Sequence, residues 1–315
     1  MRRSLAHFSA TATPAFPPPL FFRGAGGAGA PLSPMHHIPL RTSVPGVFNA
    51  IIEIPRGARA KMEIDTGAPH NPIIQDKTKA KAPRFYFLDS ESNYGALPQT
   101  YEDPEHKDAW TGLKGDGDPL DVCDISARPQ PTGSLYPVKV LGALGMIGAW
   151  LLRAPLGGLR CAQWSPSPFM RNHSLTRQPH PTLPPCARAD GGEMDWKILA
   201  VRTDDPLAAL AEDVEGAGVP DAVKRAMDDI RHFFRVYKVP EGKGENDFAF
   251  GGKWLDRATT LQIIDATHAQ WKALVQAGPR AEKGAAWVPP GGLEGIKALT
   301  DAEVAAITTS TSGSA

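Results

Sequence analysis

GDGDPLDVCDI, residues 115–125, packs four carboxylates, Asp116, Asp118, Asp121 and Asp124, into nine positions and then turns apolar. Pro119 fixes the turn, while Leu120 and Val122 alternate with Asp121 as they would on entering a strand. The Asp121 side chain should therefore point away from the core that Leu120 and Val122 enter. Acids this close repel by about 1 kcal/mol or more per pair at intermediate dielectric unless cations intervene. Hard divalent cations such as Mg²⁺ favour carboxylate oxygens and keep several waters, one of which can become a nucleophile. On this segment alone a solvated acidic turn is the other reading. An EF-hand calcium loop is not, because it needs acids at positions 1, 3 and 5, then Gly and a distal Glu, whereas Asp121 falls sixth, after a proline.

Working outward, VFNAIIEI (47–54), RFYF (84–87), PLDVCDI (119–125), PVKVLGALGMI (137–147) and WKILAV (196–201) are short runs rich in branched and aromatic residues between turn formers, and read as strands. Helices come late. Pro220 and Asp221 open one with Val223, Ala226, Met227, Ile230, Phe233 and Phe234 at helical spacing, closed by Pro240. Thr259 or Thr260 can cap another, with Leu261, Ile264, Trp271 and Leu274 on its apolar side and Gly278 beyond its end. The expectation is a mainly β fold, a barrel flanked by helices.

The 315 residues, 42% of them hydrophobic, suffice for a sizeable core. The longest apolar run, Val140 to Leu152, is short of the roughly 18 residues a membrane-spanning helix needs. Cys123, Cys161 and Cys186 have no CxxC spacing, so neither a disulfide framework nor a zinc site is indicated. The formal charge of zero conceals asymmetry: residues 1–52 hold four arginines and no acid, and residues 148–189 five arginines and no acid. With both set aside, 25 basic residues face 34 acidic ones, a body near −9. That argues against nucleic acid as a partner, since binding its backbone relies on surplus Lys and Arg.

Residues 1–45 begin Arg-, Ala-, Ser- and Pro-rich and acid-free, as an organelle transit peptide does, an ordinary disordered tail being the bland reading. Residues 46–277 form the expected folded domain, and 278–315 a mostly disordered tail with one short helix after the cap Thr300.

Two further segments carry chemistry. DGGEMDWK (190–197) offers Asp190, Glu193, Asp195 and Lys197. EIPRGARAKMEI (53–64) puts Glu53 in a strand-like run and Lys61 and Glu63 two apart, on one face of an extended chain. Alone, either is ordinarily a solvated strand face. Joined by Arg84, Tyr94, Tyr237 and Lys238, they supply cations and hydroxyls for an oxyanion beside carboxylates for its metals.

In their order EIPR, Lys61-x-Glu63, NPIIQD (71–76), NYGALPQTYEDP (93–104), GDGDPLDVCDI, DGGEMDWK and FFRVYKVPEGK (233–243), these segments resemble the eukaryotic branch of family I soluble inorganic pyrophosphatases across most of residues 46–276. The resemblance implies a closed, OB-like β-barrel with flanking helices, a homodimer, and Mg²⁺-dependent hydrolysis of pyrophosphate to two phosphates. It implies that Asp116, Asp121 and Asp195 bind the principal metal, Asp121 being shared with the metal that activates water. Asp190 and Glu63 would hold metals arriving with substrate, and Glu53 would act through water. Asp118 would accept the proton of the attacking water, and Lys61, Arg84, Tyr94, Lys197, Tyr237 and Lys238 would hold the phosphates. The short link RFYFLDSESNY (84–94) is similar to plastid-type members, so the expected address is the plastid stroma, with the mitochondrion as the alternative.

Two departures stand out. The family usually reads Asp-Glu-Gly-Glu where this chain has Asp190-Gly191-Gly192-Glu193. The stretch 148–189, with seven prolines, five arginines and no Lys, Asp or Glu, interrupts a strand that in the family runs straight into the Asp190 equivalent. A retained intron splitting that Asp codon would begin with glycine and end with alanine before a restored aspartate, which matches Gly148, Ala189 and Asp190. The other reading is a genuine loop, though long structureless loops are uncommon in compact domains. The interruption keeps a second function open, a catalytically impaired metal-binding OB-like module. A phosphohydrolase acting on nucleotides or polyphosphate is disfavoured by the lack of a P-loop GxxxxGK[ST].

Overall fold

The computed structural model describes residues 16–24, 31–148, 192–279 and 285–311. Its strands are β1 (Phe21–Arg23), β2 (Val47–Ile54), β3 (Met62–Ile64), β4 (Ile73–Gln75), β5 (Asn93–Ala96), β6 (Lys114–Gly115), β7 (Asp121–Asp124), β8 (Leu135–Gly148), β9 (Glu193–Arg202), β10 (Asp247–Phe248) and β11 (Thr308–Ser310). The helices are α1 (Asp221–Val236), α2 (Arg257–Ala277) and α3 (Asp301–Ala305). Seven strands form a mixed sheet in the order β10-β8-β2-β5-β7-β9-β6, and β8 also pairs with β9. β9 runs parallel to β6 and β7; the other pairs are antiparallel. The expected mainly β architecture with few helices is present.

VFNAIIEI is unbroken by polar alternation because β2 is covered on both faces. Phe48, Ala50 and Ile52 pack with Val122, Val138, Ile198 and with Ile263 and Ile264 of α2, whereas Ile51 packs with Phe22, Ile38, Ile64 and Ile73. Ile54 joins a third cluster, where Val223, Ile230, Phe233 and Phe234 of α1 meet Leu144 and Leu199. The β2–β5 register slips between Ile52 and Ile54, a bulge that re-aims Glu53. Beside it Gly95 is obligatory, because a Cβ there would lie 1.9 Å from the Ile51 carbonyl oxygen.

Several expectations need correction. RFYF forms one isolated bridge, Phe85 with Ala60, rather than a strand. The α2 cap is Asp256, whose carboxylate accepts the Thr259 N–H at 2.7 Å, so the helix starts before either threonine. The described part of residues 1–45 is not outside the fold: Phe22, Met35, Ile38 and Leu40 are buried, and β1 pairs with β11. The tail is likewise ordered over 285–311, where Thr300 caps α3 in a capping box with Glu303, as its spacing predicts. The polar, Pro- and Gly-rich composition of both ends concealed that each supplies apolar partners to the other. Among the described residues no helix is long and apolar enough to cross a membrane. Residues 1–15 and 149–191 lie outside the described residues, and with them most of the transit-peptide and insertion readings and the Asp190 assignment.

Candidate active site

Three adjacent strands build the floor. Ala96 of β5 pairs with Asp121 of β7, and Asp121 with Lys197 of β9. Side chains two apart share a face, so Tyr94, Asp121, Asp195 and Lys197 emerge together. Asp124, three positions on, points the other way: buried, it accepts hydrogen bonds from Asn93, Ser126, Tyr136 and the Arg202 N–H. The fourth acid of the opening segment is thus structural.

A cavity of about 210 Å³ opens on this face, and every described residue expected in the site lines it. The carboxylates are Glu53, Glu63, Asp116, Asp118, Asp121 and Asp195. With them stand Lys61, Arg84, Tyr94, Lys197, Tyr237 and Lys238. The bulge directs Glu53 inward, where its carboxylate accepts the Ile64 N–H at 2.6 Å. Tyr237 caps the C-terminus of α1, where a cation such as Lys238 is favoured by the helix dipole. Lys61 and Glu63 share a face as their spacing predicts and form an ion pair. Lys197 departs from a simple phosphate-facing role: its ammonium bridges Asp121 and Asp195 (2.5 Å to the latter) and lies 4.8 Å from the Phe234 ring centroid.

The electrostatics follow from crowding like charges in low dielectric. Asp118 retains exposed surface at the cavity mouth while surrounded by protein atoms. Desolvation, then the charges of Asp121 and Glu63, push its carboxyl up to about 7. Asp121 is pushed up to about 6 by burial and Asp195, against the pull of Lys197. Burial and Asp195 raise Asp116 well above the usual carboxylate range. Burial brings the Lys238 ammonium down to about 8. Burial would lower Lys61 too, but Glu63, Tyr86 and Asp76 hold it above its ordinary value. Groups that resist ionisation together are stabilised by a divalent cation, and an all-oxygen donor set suits a hard one.

Four residues escaped the sequence reading. Glu102 brings a carboxylate oxygen within 4.8 Å of those of Asp116 and Asp195, the one such metal-competent cluster among the described residues. Its Oε1 accepts the Trp196 N–H at 3.0 Å, and its own N–H donates to the Asp118 carbonyl at 2.9 Å, so it ties the acidic loop to β9. Tyr86 and Lys243 also line the cavity, and Asp76 pairs with both Lys61 and Arg84 at 3.0 and 2.9 Å. Tyr86 was legible, since Arg84 and Tyr86 are two apart in an extended segment; Glu102, one acid of several in YEDPEH, carried no such signal.

Comparison with known proteins agrees with this geometry. The inorganic pyrophosphatase family model matches residues 50–150 and 186–272, parting across the stretch between them. The chain is 38% identical over 253 residues to a human inorganic pyrophosphatase, covering 78% of this chain and 71% of that protein. It is 37% identical over 251 residues to the chloroplastic soluble inorganic pyrophosphatase 6 of Arabidopsis thaliana, covering 79% and 68%. Its fold is similar, at TM-score 0.62 and 31% identity, to a truncated Trypanosoma cruzi vacuolar soluble pyrophosphatase solved in complex with PPi, covering 88% of this chain and 99% of that one. On these grounds the chain belongs to the inorganic pyrophosphatase family.

Proposed function

We propose that this protein hydrolyses inorganic pyrophosphate to two phosphates with Mg²⁺ as its metal. The observation that carries the reading is the convergence of six carboxylates with four lysines, an arginine and three tyrosines on one cavity. Phosphoryl transfer asks mainly for positioning and for charge stabilisation, and this donor set offers both. Asp116, Asp121 and Asp195 would hold the principal cation, with Glu102 completing the cluster. Glu63 and Asp190 would serve cations that come with substrate, and Glu53 would act through water. Bound cations would neutralise phosphate charge and make water acidic enough to attack. Asp118, at the mouth and near neutrality in its titration, accepts the proton of the attacking water. Lys61, Arg84, Lys238 and the hydroxyls of Tyr94 and Tyr237 orient the two phosphates. Lys197 fixes Asp121 and Asp195 relative to each other and offers a further cation. Nothing in the described site favours an impaired metal-binding module.

We further read the ring of pairings β8-β2-β5-β7-β9-β8 as a closed OB-like barrel, the assembly as a homodimer, the N-terminus as a plastid transit peptide and residues 148–189 as an insertion. The chloroplastic relative supports the plastid reading. Function is tested by phosphate release from pyrophosphate, tripolyphosphate and ATP. Release from pyrophosphate, dependent on Mg²⁺ and abolished by a chelator, is expected; preference for ATP or indifference to metal would refute it.

A further inference from the structure

Arg84 reaches the cavity with its guanidinium already engaged. Nη1 donates to Asp76 at 2.9 Å, while Nε and Nη2 together grip Glu241, with Nη2 to Oε1 at 2.7 Å and Nε to Oε1 and Nη2 to Oε2 both at 2.9 Å. A phosphate seeks the same two-pronged donor face that Glu241 fills.

The two acids are not equivalent. Asp76 is locked by the backbone: Asp76 N–H donates to Lys61 O, Lys61 N–H to Arg84 O and Arg84 N–H to Asp76 O, at 2.8, 3.0 and 2.8 Å. Its carboxylate also binds Lys61 Nζ at 3.0 Å, so it holds Lys61 and Arg84 together as a pair. Glu241 instead ends a single 3-10 turn, Val239–Glu241, and its side chain is about a third exposed. Gly242 follows in the left-handed region at φ 78°, and Lys243 Nζ stands 3.6 Å from Glu241 Oε2. A second cation is therefore within reach if Arg84 is taken. The same turn carries Lys238 and Lys243, both of which line the cavity.

We propose that Glu241 is a built-in competitor for the phosphate site of Arg84, exchanged to Lys243 when a substrate phosphate takes the guanidinium fork. Glu241 thereby sets the affinity for the anion, and its release couples binding to the turn that presents Lys238 and Lys243. This rests on the pyrophosphatase reading only in treating Arg84 as a phosphate ligand.

The test measures binding of methylenediphosphonate, which cannot be hydrolysed, to the full chain by calorimetry at fixed Mg²⁺. Glu241→Gln is expected to tighten binding about three- to tenfold, the scale of a partly exposed bidentate pair. In an Arg84→Met background the gain should vanish, because the residue competed for is gone. Glu241→Asp, which keeps the charge but withdraws the carboxylate by one methylene, should tighten binding in the same direction, and serves if Arg84→Met fails to fold. Unchanged or weaker binding in Glu241→Gln overturns the proposal. So does an equal gain with and without Arg84, or wild-type affinity in Glu241→Asp, each of which would mark a general field effect. Hydrolysis of pyrophosphate by the unsubstituted chain is scored separately, so failure of the functional reading is seen apart from failure of the exchange.

Discussion

Gly148 and Glu193 are Cα partners at the end of the antiparallel β8–β9 ladder, although 44 residues of chain separate them. The pairing continues inward through Ile147 with Met194 and Met146 with Asp195, so an expected metal ligand sits two residues from the junction. The two strands are thus the arms of a hairpin, whatever the intervening chain does.

Deleting residues 148–189 would leave Asp190, Gly191, Gly192 and Glu193 between the paired Ile147 and Met194, a length common in hairpins. Shortening the closed loop lowers its entropic cost by about 2 kcal/mol on logarithmic scaling. The expected outcome is an unchanged circular dichroism spectrum, a melting temperature equal to or above the parent's, and Mg²⁺-dependent activity at least as high. An unfolded or inactive deletion protein would make the stretch a structural element and end the retained-intron explanation.

Glu102 connects the acidic loop to β9 through Trp196 and Asp118. Its removal should act through metal affinity. Glu102→Ala is expected to raise the Mg²⁺ concentration for half-maximal activity about tenfold or more, the range seen when groups supporting metal ligands are lost. It also leaves the buried Trp196 N–H without its acceptor, at about 1–3 kcal/mol of stability. Glu102→Gln retains an acceptor oxygen and should restore the stability but not the metal affinity. Metal titrations with thermal melts of both variants decide the matter; an unshifted Mg²⁺ requirement in Glu102→Ala would remove Glu102 from the site.

The main strands and the site could be read from the sequence because their signals are local. VFNAIIEI coincides with β2 residue for residue, Pro220 and Asp221 open α1, and the i, i+2 spacing puts Lys61 beside Glu63 and Asp195 beside Lys197. What escaped depends on partners distant in the chain. Phe22 is core only because Ile51 and Ile73 meet it, β1 is a strand only because β11 pairs with it, and Glu102 matters only because Trp196 lies 94 residues away. The Glu53 bulge and the Gly95 close approach are likewise properties of two strands together, which no single stretch encodes.

His36 joins the N-terminal arm to both later segments. Trp271 Nε1–H donates to its Nδ1 at 2.9 Å, so Nε2 carries the proton and donates to the Trp287 carbonyl at 2.7 Å. A second proton would break the Trp271 bond, and burial, with a lesser contribution from His37, brings the pKa down to about 4. Above pH 6.5 the folded and unfolded states are both neutral here. As pH falls from 6.5 towards 4 only the unfolded state gains the proton, so stability falls by at most about 1.4 kcal/mol per pH unit from this group. Denaturant melts from pH 7.5 to 4.5 should show a shallower acid loss for His36→Gln than for the parent. Parallel curves would show that His36 titrates alike in both states.

Proton transfer from the attacking water depends most directly on Asp118. Asp118→Asn preserves the shape of the loop, where the residue 118 N–H donates to the Asp116 carboxylate at 3.0 Å without involving the residue 118 side chain, yet it removes the proton acceptor. The measurement is the initial rate of phosphate release from pyrophosphate at saturating Mg²⁺ for parent and variant, with thermal melts of both. The expected result is a metal-dependent rate in the parent that falls at least about a hundredfold in Asp118→Asn, the lower end of general-base contributions, with the melting temperature held. A folded parent that releases no phosphate with Mg²⁺, or a folded variant as fast as the parent, would contradict it.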